Sequence, residues 1–225
     1  MIMIRILITC FALSFAALPS LADDTAAGSV FVEILEYRFA NDIALLDAEA
    51  EYGTQTDRAV VKLVTLSADG ETEAAAALLY RRALSETFDL QAGMEFSDDN
   101  SHFVLGFQAQ APHHVGTELV TLIDGNGDGY LVGKVERIWT LGDRLKLWPR
   151  LEVIAAFQDD DASATRAGLS VALADLRLRY ELHPRFMPYV GVSWEQALGD
   201  TAATLEAAGE DKSIITAVMG ASFAF

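Results

Sequence analysis

The stretch "PHHVGTE" sets His113 and His114 side by side, with Glu118 further along the same run. Imidazole with carboxylate is the donor set of a weak Cu(II) or Zn(II) site. Neighbouring residues of an extended chain point opposite ways, so only His114 could share a metal with a nearby carboxylate. The same residues also read as a plain surface turn. "DGNGDGYL" places Asp124, Asn126 and Asp128 at alternate positions, with Gly129 for a bend and Leu131 as an anchor, like the start of a calcium loop. The bidentate Glu that such a loop needs at its twelfth place is Val135 here, and Glu136 comes one place late. The alternative is an acidic hairpin turn with weak divalent-cation affinity. Soft donors are few, because past residue 22 the methionines are Met94, Met187 and Met219. The imidazoles are His102, His113, His114 and His183. Acyl-transfer chemistry needs a Ser and a His together. Ser170 and Ser193 have no His at a matching height and face, and Ser101 beside His102 in a loop is too little, so no enzyme is expected.

The bulk composition narrows the partners. The chain has 225 residues with 33 Asp+Glu against 16 Lys+Arg, a net charge of −17. Nucleic acid requires a basic face and is excluded as a partner. "MIMIR", the apolar "ILITCFALSFAAL" and the small residues of "PSLA" predict a secretory signal peptide over 1–22, removed after Ala22. The only cysteine, Cys10, leaves with it, so the mature chain carries no thiol. A short N-terminal segment, 23–29, follows. No later stretch is long and apolar enough for a membrane helix, so any span must be made of strands.

The elements that position these residues alternate with a period of two. In "LADLRLRYEL", Leu176, Leu178, Tyr180 and Leu182 are apolar, while Asp175, Arg177, Arg179 and Glu181 are charged. Only a strand gathers each set on one face. The pattern recurs in "RLKLWPRLEVIAAF", "TFDLQAGMEF", "HFVLGFQAQA" and "ILEYRF". It predicts strands at 30–39, 43–53, 58–67, 72–84, 88–97, 102–111, 114–123, 130–141, 145–157, 167–182, 186–198 and 212–225. "ETEAAAALLYRRAL" has helix-forming residues, yet its place in the series makes it a strand. Arg137 takes the outward parity and needs to snorkel at an interface. Short turns such as "TQTDR", "ALSE" and "HPR" alternate with mostly longer, acidic links such as "QDDDASATR" and "GDTAATLEAAGED".

Alternation alone also fits a soluble sandwich whose charged faces meet water. The leader, the two classes of link and the aromatics Tyr37, Phe88, Tyr180, Phe186 and Phe225, placed near the short-turn end, favour a membrane. The prediction for 30–225 is an all-β fold: a closed, antiparallel, up-and-down transmembrane β-barrel of about twelve strands, its two ends periplasmic. Parity then sends Glu36, Arg38, Lys62, Arg82, Asp89, Glu95, Glu118, Lys134, Glu136, Arg150, Glu152, Asp175, Arg177, Arg179, Glu181 and Glu195 into the lumen. Mixed signs at neighbouring heights suggest salt-bridged ladders that pack the lumen rather than a one-sign selectivity ring; a permeation path is the alternative. Met94 and Met219 face lipid, leaving Met187 inside. The acidic links would gather cations at the mouth or bridge to lipopolysaccharide through divalent ions.

The stretch "LRLRYELHPRFMPYVGVSWEQALGDTA", then "AAGEDKS" and the final Phe, closely resembles the copper resistance protein B family. So do "LEYRF", "LLYRRAL", "DLQAGMEF", "LGFQAQAP" and "LWPRLEVIAAFQDD", in the same order from about Val30 to Phe225. The resemblance implies an outer-membrane barrel of a Gram-negative bacterium, in contact with lipid and lipopolysaccharide. It implies a role in copper tolerance through export, sequestration or reduced influx, with copper ions and a periplasmic copper protein as partners. Family members carry a Met- and His-rich segment ahead of the barrel, whereas here "DDTAAGS" holds neither residue. One inward Met cannot build a Cu(I) cage, so weak intrinsic copper binding is expected. The alternative is a small general pore or structural barrel without a metal role.

Overall fold

A strand at the edge of a sheet leaves half its backbone N–H and C=O groups without partners, and each costs several kcal/mol in hydrocarbon. In the computed structural model, which describes residues 25–98, 100–112 and 115–225, every wall strand is flanked on both sides. The elements are β1 (Ala27–Arg38), β2 (Ile43–Gly53), β3 (Asp57–Ala68), β4 (Glu71–Ser85), β5 (Phe88–Ser97), β6 (Ser101–Ala111) and β7 (Val115–Ile123). They continue with β8 (Gly129–Arg137), β9 (Trp139–Thr140), β10 (Leu145–Ala156), β11 (Gly168–Tyr180), β12 (Phe186–Ala197), α1 (Gly199–Ala208) and β13 (Ser213–Ala224). Each strand pairs antiparallel with the next, and β1 pairs with β13. The two-residue β9 extends β8 along β10, so twelve strands build the wall. At the seam, the amides of Val30 and Phe225 each donate to the other's carbonyl, at 3.3 and 2.8 Å. The closed, antiparallel barrel predicted from the alternation is the observed fold.

The apolar sets face outward. Leu78, Leu105, Leu176, Val192 and Met219 are exposed on the outer wall, which in water would be an unsustainable apolar surface and in lipid is the required one. β4 is a strand despite its Ala-, Leu- and Glu-rich composition, since pairing with β3 and β5 along its length outweighs intrinsic propensity.

Three local features depart from the sequence reading. The link after β12 is not irregular throughout, because α1 lies within it. Its Ala, Leu and Glu favour a helix, Leu205 and Thr201 are buried, and Gly209 ends it in the left-handed region at φ 75°. The amide of Arg166 donates to Thr201 Oγ1 at 2.9 Å and fixes the helix against the link before β11. Second, Tyr37 belongs to the other end of the barrel from Phe88, Tyr180, Phe186 and Phe225. It donates to Asp42 at 2.7 Å in the turn after β1 and meets Phe39 edge-on. That turn is short but lies among the long links. Third, β1 carries a bulge. Val32 pairs with Ala48 but Ile34 pairs with Asp47, so Glu33 is one residue too many.

Candidate functional site

The lumen is built from alternate residues of twelve strands, and its character changes along the axis. Near the end carrying the long links, here the loop end, β6, β7, β8, β10 and β11 present Val104, Val120, Leu122, Tyr130, Val132, Ile154, Ala156 and Val171, which pack together. Toward the opposite, turn end the same strands present Gln108, Glu118, Lys134, Glu136, Arg150, Glu152, Asp175 and Arg177, all buried. An apolar layer therefore lies between the loop end and an ionic interior.

Two networks fill that interior. In the first, Arg81 forks onto Glu49 with both contacts at 3.0 Å and also meets Glu51. Lys62 lies 3.3 Å from Glu49 and 3.4 Å from Glu118, and Lys134 lies 3.2 Å from the other Glu118 oxygen. Gln91 and Gln108 donate to Glu118 at 2.8 and 3.1 Å. The chain Arg81–Glu49–Lys62–Glu118–Lys134 thus ties together β4, β2, β3, β7 and β8, with each charge meeting its opposite. In the second, Arg177 forks onto Glu36 at 2.7 and 3.1 Å and reaches Asp175 at 3.0 Å. Arg38 donates to Glu36 at 3.1 Å, and Arg150 donates to Glu152 at 2.8 Å. Trp148 donates to Glu136 at 3.2 Å while the Arg179 guanidinium lies 3.4 Å over its ring.

Arg177 on β11 reaches Glu36 on β1 past two intervening strands because those strands are bare there. Gly191 faces Arg177, and Gly220 faces Glu36. A Cβ at Gly220 would stand 2.7 Å from the Tyr189 ring and 2.3 Å from the Leu35 carbonyl oxygen. Gly220→Ala is expected to destabilise the barrel by about 1–3 kcal/mol through overpacking. An unchanged unfolding midpoint in urea would contradict this account.

The residues singled out in the sequence are placed as follows. Glu36, Glu118, Lys134, Glu136, Arg150, Glu152, Asp175, Arg177 and Arg179 are buried in the lumen, and Arg38, Asp89 and Glu195 are half-buried there. Asp89 pairs with Arg58, and Glu181 pairs with Lys146 at the turn-end rim. Arg82 is a correction. Arg81 is the inward residue at 2% exposure, and Arg82 points out, its side chain 56% exposed and 3.6 Å from Asp57. Only one of two adjacent strand residues can face the lumen, and Arg81 is the one level with Glu49 and Gln91. Arg137 also takes the outer side, its guanidinium 5.5 Å from the Trp139 ring.

His113 and His114 lie outside the described residues, as does the leader 1–22. Glu118 is engaged by two lysines and two glutamines. Met187, half-buried, sits opposite Ser222 on β13. Asp124, Asn126 and Asp128 form a turn in which Asp124 accepts the amides of Asn126 and Asp128 at 2.8 and 2.9 Å. Those bonds, the one from Asn126 first, hold the Asp124 carboxyl below its ordinary range, and its other oxygen accepts the Asn126 side-chain amide at 3.3 Å within the same turn. Among the described residues no three His, Cys, Asp or Glu side chains gather as a metal cage. Residues that parity did not single out include Glu33, Asp47, Glu49, Glu51 and Arg81. In "IALLDAEAEYG" the alternation of Leu45, Asp47, Glu49 and Glu51 was a usable signal; Glu33 enters only through the bulge.

A closed twelve-strand wall, greasy outside and ionic within, defines the class as an outer-membrane β-barrel. Solved structures agree: the NanC porin has a TM-score of 0.56 at 14% identity, covering 88% of this chain and 99% of that one. The KdgM porin has a TM-score of 0.53 at 11% identity, with the same coverage. At such identities the likeness concerns the fold alone.

The family model described as "Copper resistance protein B precursor" matches residues 26–225. "Copper resistance protein B" of Escherichia coli is 34% identical over 178 residues, 77% of this chain and 60% of that protein. "Copper resistance protein B homolog" of Pseudomonas syringae pv. tomato is 31% identical over 205 residues, 88% and 70% respectively. The chain belongs to the copper resistance protein B family. It spans well under the full length of the Escherichia coli relative it matches.

Proposed function

We propose that this protein contributes to copper tolerance as a narrow, ion-filled barrel of the outer membrane, without enzymatic activity and with weak copper affinity in its lumen. The carrying observation is the family match across the whole barrel, residues 26–225. In this reading a cleaved leader exports the chain, the loop end faces outside and both termini lie in the periplasm, where a copper protein could meet the turn end. The loops and rim contact lipopolysaccharide. Deleting the gene is expected to change growth under copper stress and the copper content of cells. Higher cellular copper after deletion means export or reduced influx; lower copper means uptake. Unchanged copper sensitivity would remove the metal role.

A second reading, a structural barrel or small general pore without metal, is favoured by one observation. The lumen is crossed by fully buried pairs such as Arg177–Glu36 and Arg81–Glu49. Copper tolerance untouched in the deletion strain would establish it, with the absence of conductance in a planar bilayer marking a structural barrel and conductance marking a pore.

A further inference from the structure

Above the apolar layer the loop end opens into a cavity of about 860 Å³. Glu71, Glu73, Asp98, Asp128, Asp159 and Asp160 line it, and the described lining residues include no Lys or Arg. Such a wall concentrates cations, since low-dielectric clefts of one sign focus the field. Several of these carboxylates are held by their own loops. Asp160, for example, accepts the Ser163 hydroxyl at 2.7 Å and the Ala162 amide at 2.9 Å. They supply attraction rather than a binding cage.

The cavity wall also includes Glu95 and His102. They are direct cross-strand partners of the β5–β6 hairpin, so the sheet register fixes their spacing. Both side chains are deeply buried, His102 at 5% exposure and Glu95 at 7%. His102 Nδ1 has no hydrogen-bond partner, although a buried ring nitrogen ordinarily has one. Glu95 Oε1 is 3.8 Å away, too far for a hydrogen bond. That gap has a natural filling. Metal–nitrogen and metal–carboxylate bonds are each about 2.0–2.2 Å, so two ligands of one ion stand up to about 4.2 Å apart. A separation of 3.8 Å therefore admits one ion between them in a bent arrangement, with no movement of the backbone.

We propose that Glu95 and His102 bind one divalent transition-metal ion in the loop-end cavity, with water completing its coordination. The donors are an imidazole and a carboxylate. The described residues include no Cys, and Met94, the nearest methionine along β5, points out of the barrel. This set suits Cu(II), Zn(II) and Ni(II) and disfavours Cu(I); within the divalent series Cu(II) binds tightest. The site thus selects an oxidation state. The proposal does not rest on the copper-tolerance reading, because it concerns binding by the isolated barrel.

The test is titration of the full chain, folded in detergent, with Cu(II) alone as the probe and followed by electron paramagnetic resonance. The expected spectrum shows hyperfine coupling to a histidine nitrogen at one ion per chain. It persists when His113 and His114 are both changed to Ala. His102→Ala is expected to abolish the coupling in that background and weaken binding at least tenfold. Glu95→Gln, nearly the same shape, is expected to weaken binding at least tenfold while the heat-modifiable gel shift of the folded barrel persists. Cu(I) supplied under reducing, anaerobic conditions should bind the wild-type chain and both variants alike. Coupling that survives His102→Ala, or affinity unchanged by Glu95→Gln, would overturn the assignment.

Discussion

Arg177→Leu is expected to destabilise the folded barrel by about 3–5 kcal/mol, the usual loss when one partner of a buried ion pair is removed. The guanidinium is fully enclosed and holds Glu36 through two contacts, at 2.7 and 3.1 Å, and Asp175 through a third at 3.0 Å. It also lies 5.1 Å from the Trp148 ring. Leucine would strip Asp175 of its 3.0 Å cation and leave Glu36 with Arg38 as its remaining ion-pair partner. The measurement is urea unfolding from lipid vesicles, read by tryptophan fluorescence, because Trp148 packs against the deleted group. Glu36→Leu added to Arg177→Leu is expected to recover part of the loss, since it removes a stranded charge. Equal stability of the single variant and the parent would mean that the pair does not hold β11 to β1.

On the outer wall the expected effect has the opposite cause. Leu105, exposed near the middle of β6 on the same outer face as Phe103, is paired with Ala92 on β5 and Thr121 on β7. Leu105→Arg would place a cation in hydrocarbon, at a cost of about 2–4 kcal/mol near the midplane. The same change on a soluble sandwich would be close to neutral, because water would solvate the charge. Folding yield into vesicles, compared with that of Leu105→Ala, separates these outcomes. A fully tolerated arginine would mean that the wall does not face lipid.

The barrel was legible because alternation is a local property, visible wherever a strand is apolar on one side and ionic on the other. Leu176, Leu178 and Tyr180 against Asp175, Arg177 and Arg179 needed nothing more. What alternation cannot show is where the count slips. The bulge at Glu33 exchanges the two faces midway along β1, so Phe31 before it and Ile34 after it share the inner side. In "YRR" two identical residues compete for one inward place, and only the height of Glu49 on a strand distant in sequence decides for Arg81. The α1 helix was hidden by its acidic setting, although Ala, Leu, Glu and a terminal Gly spelled it out. Ser101 and His102, expected in a loop, instead open β6, and His102 lies on its inner face. Its partnership with Glu95 depended on hairpin register, which the loop between them sets and composition does not.

The seam where Val30 meets Phe225 has a consequence for how the molecule is made. Every other contact in the wall joins strands that follow one another, so hairpins can zip locally as the polypeptide arrives. The closing pair joins the first strand to the last and forms only after the rest, at the highest loop-closure cost in the chain. Until then the protein is an open ribbon with two adhesive margins, at its greatest risk of joining a neighbour instead of itself. Any helper of its insertion therefore has its decisive work at that margin, in the final step.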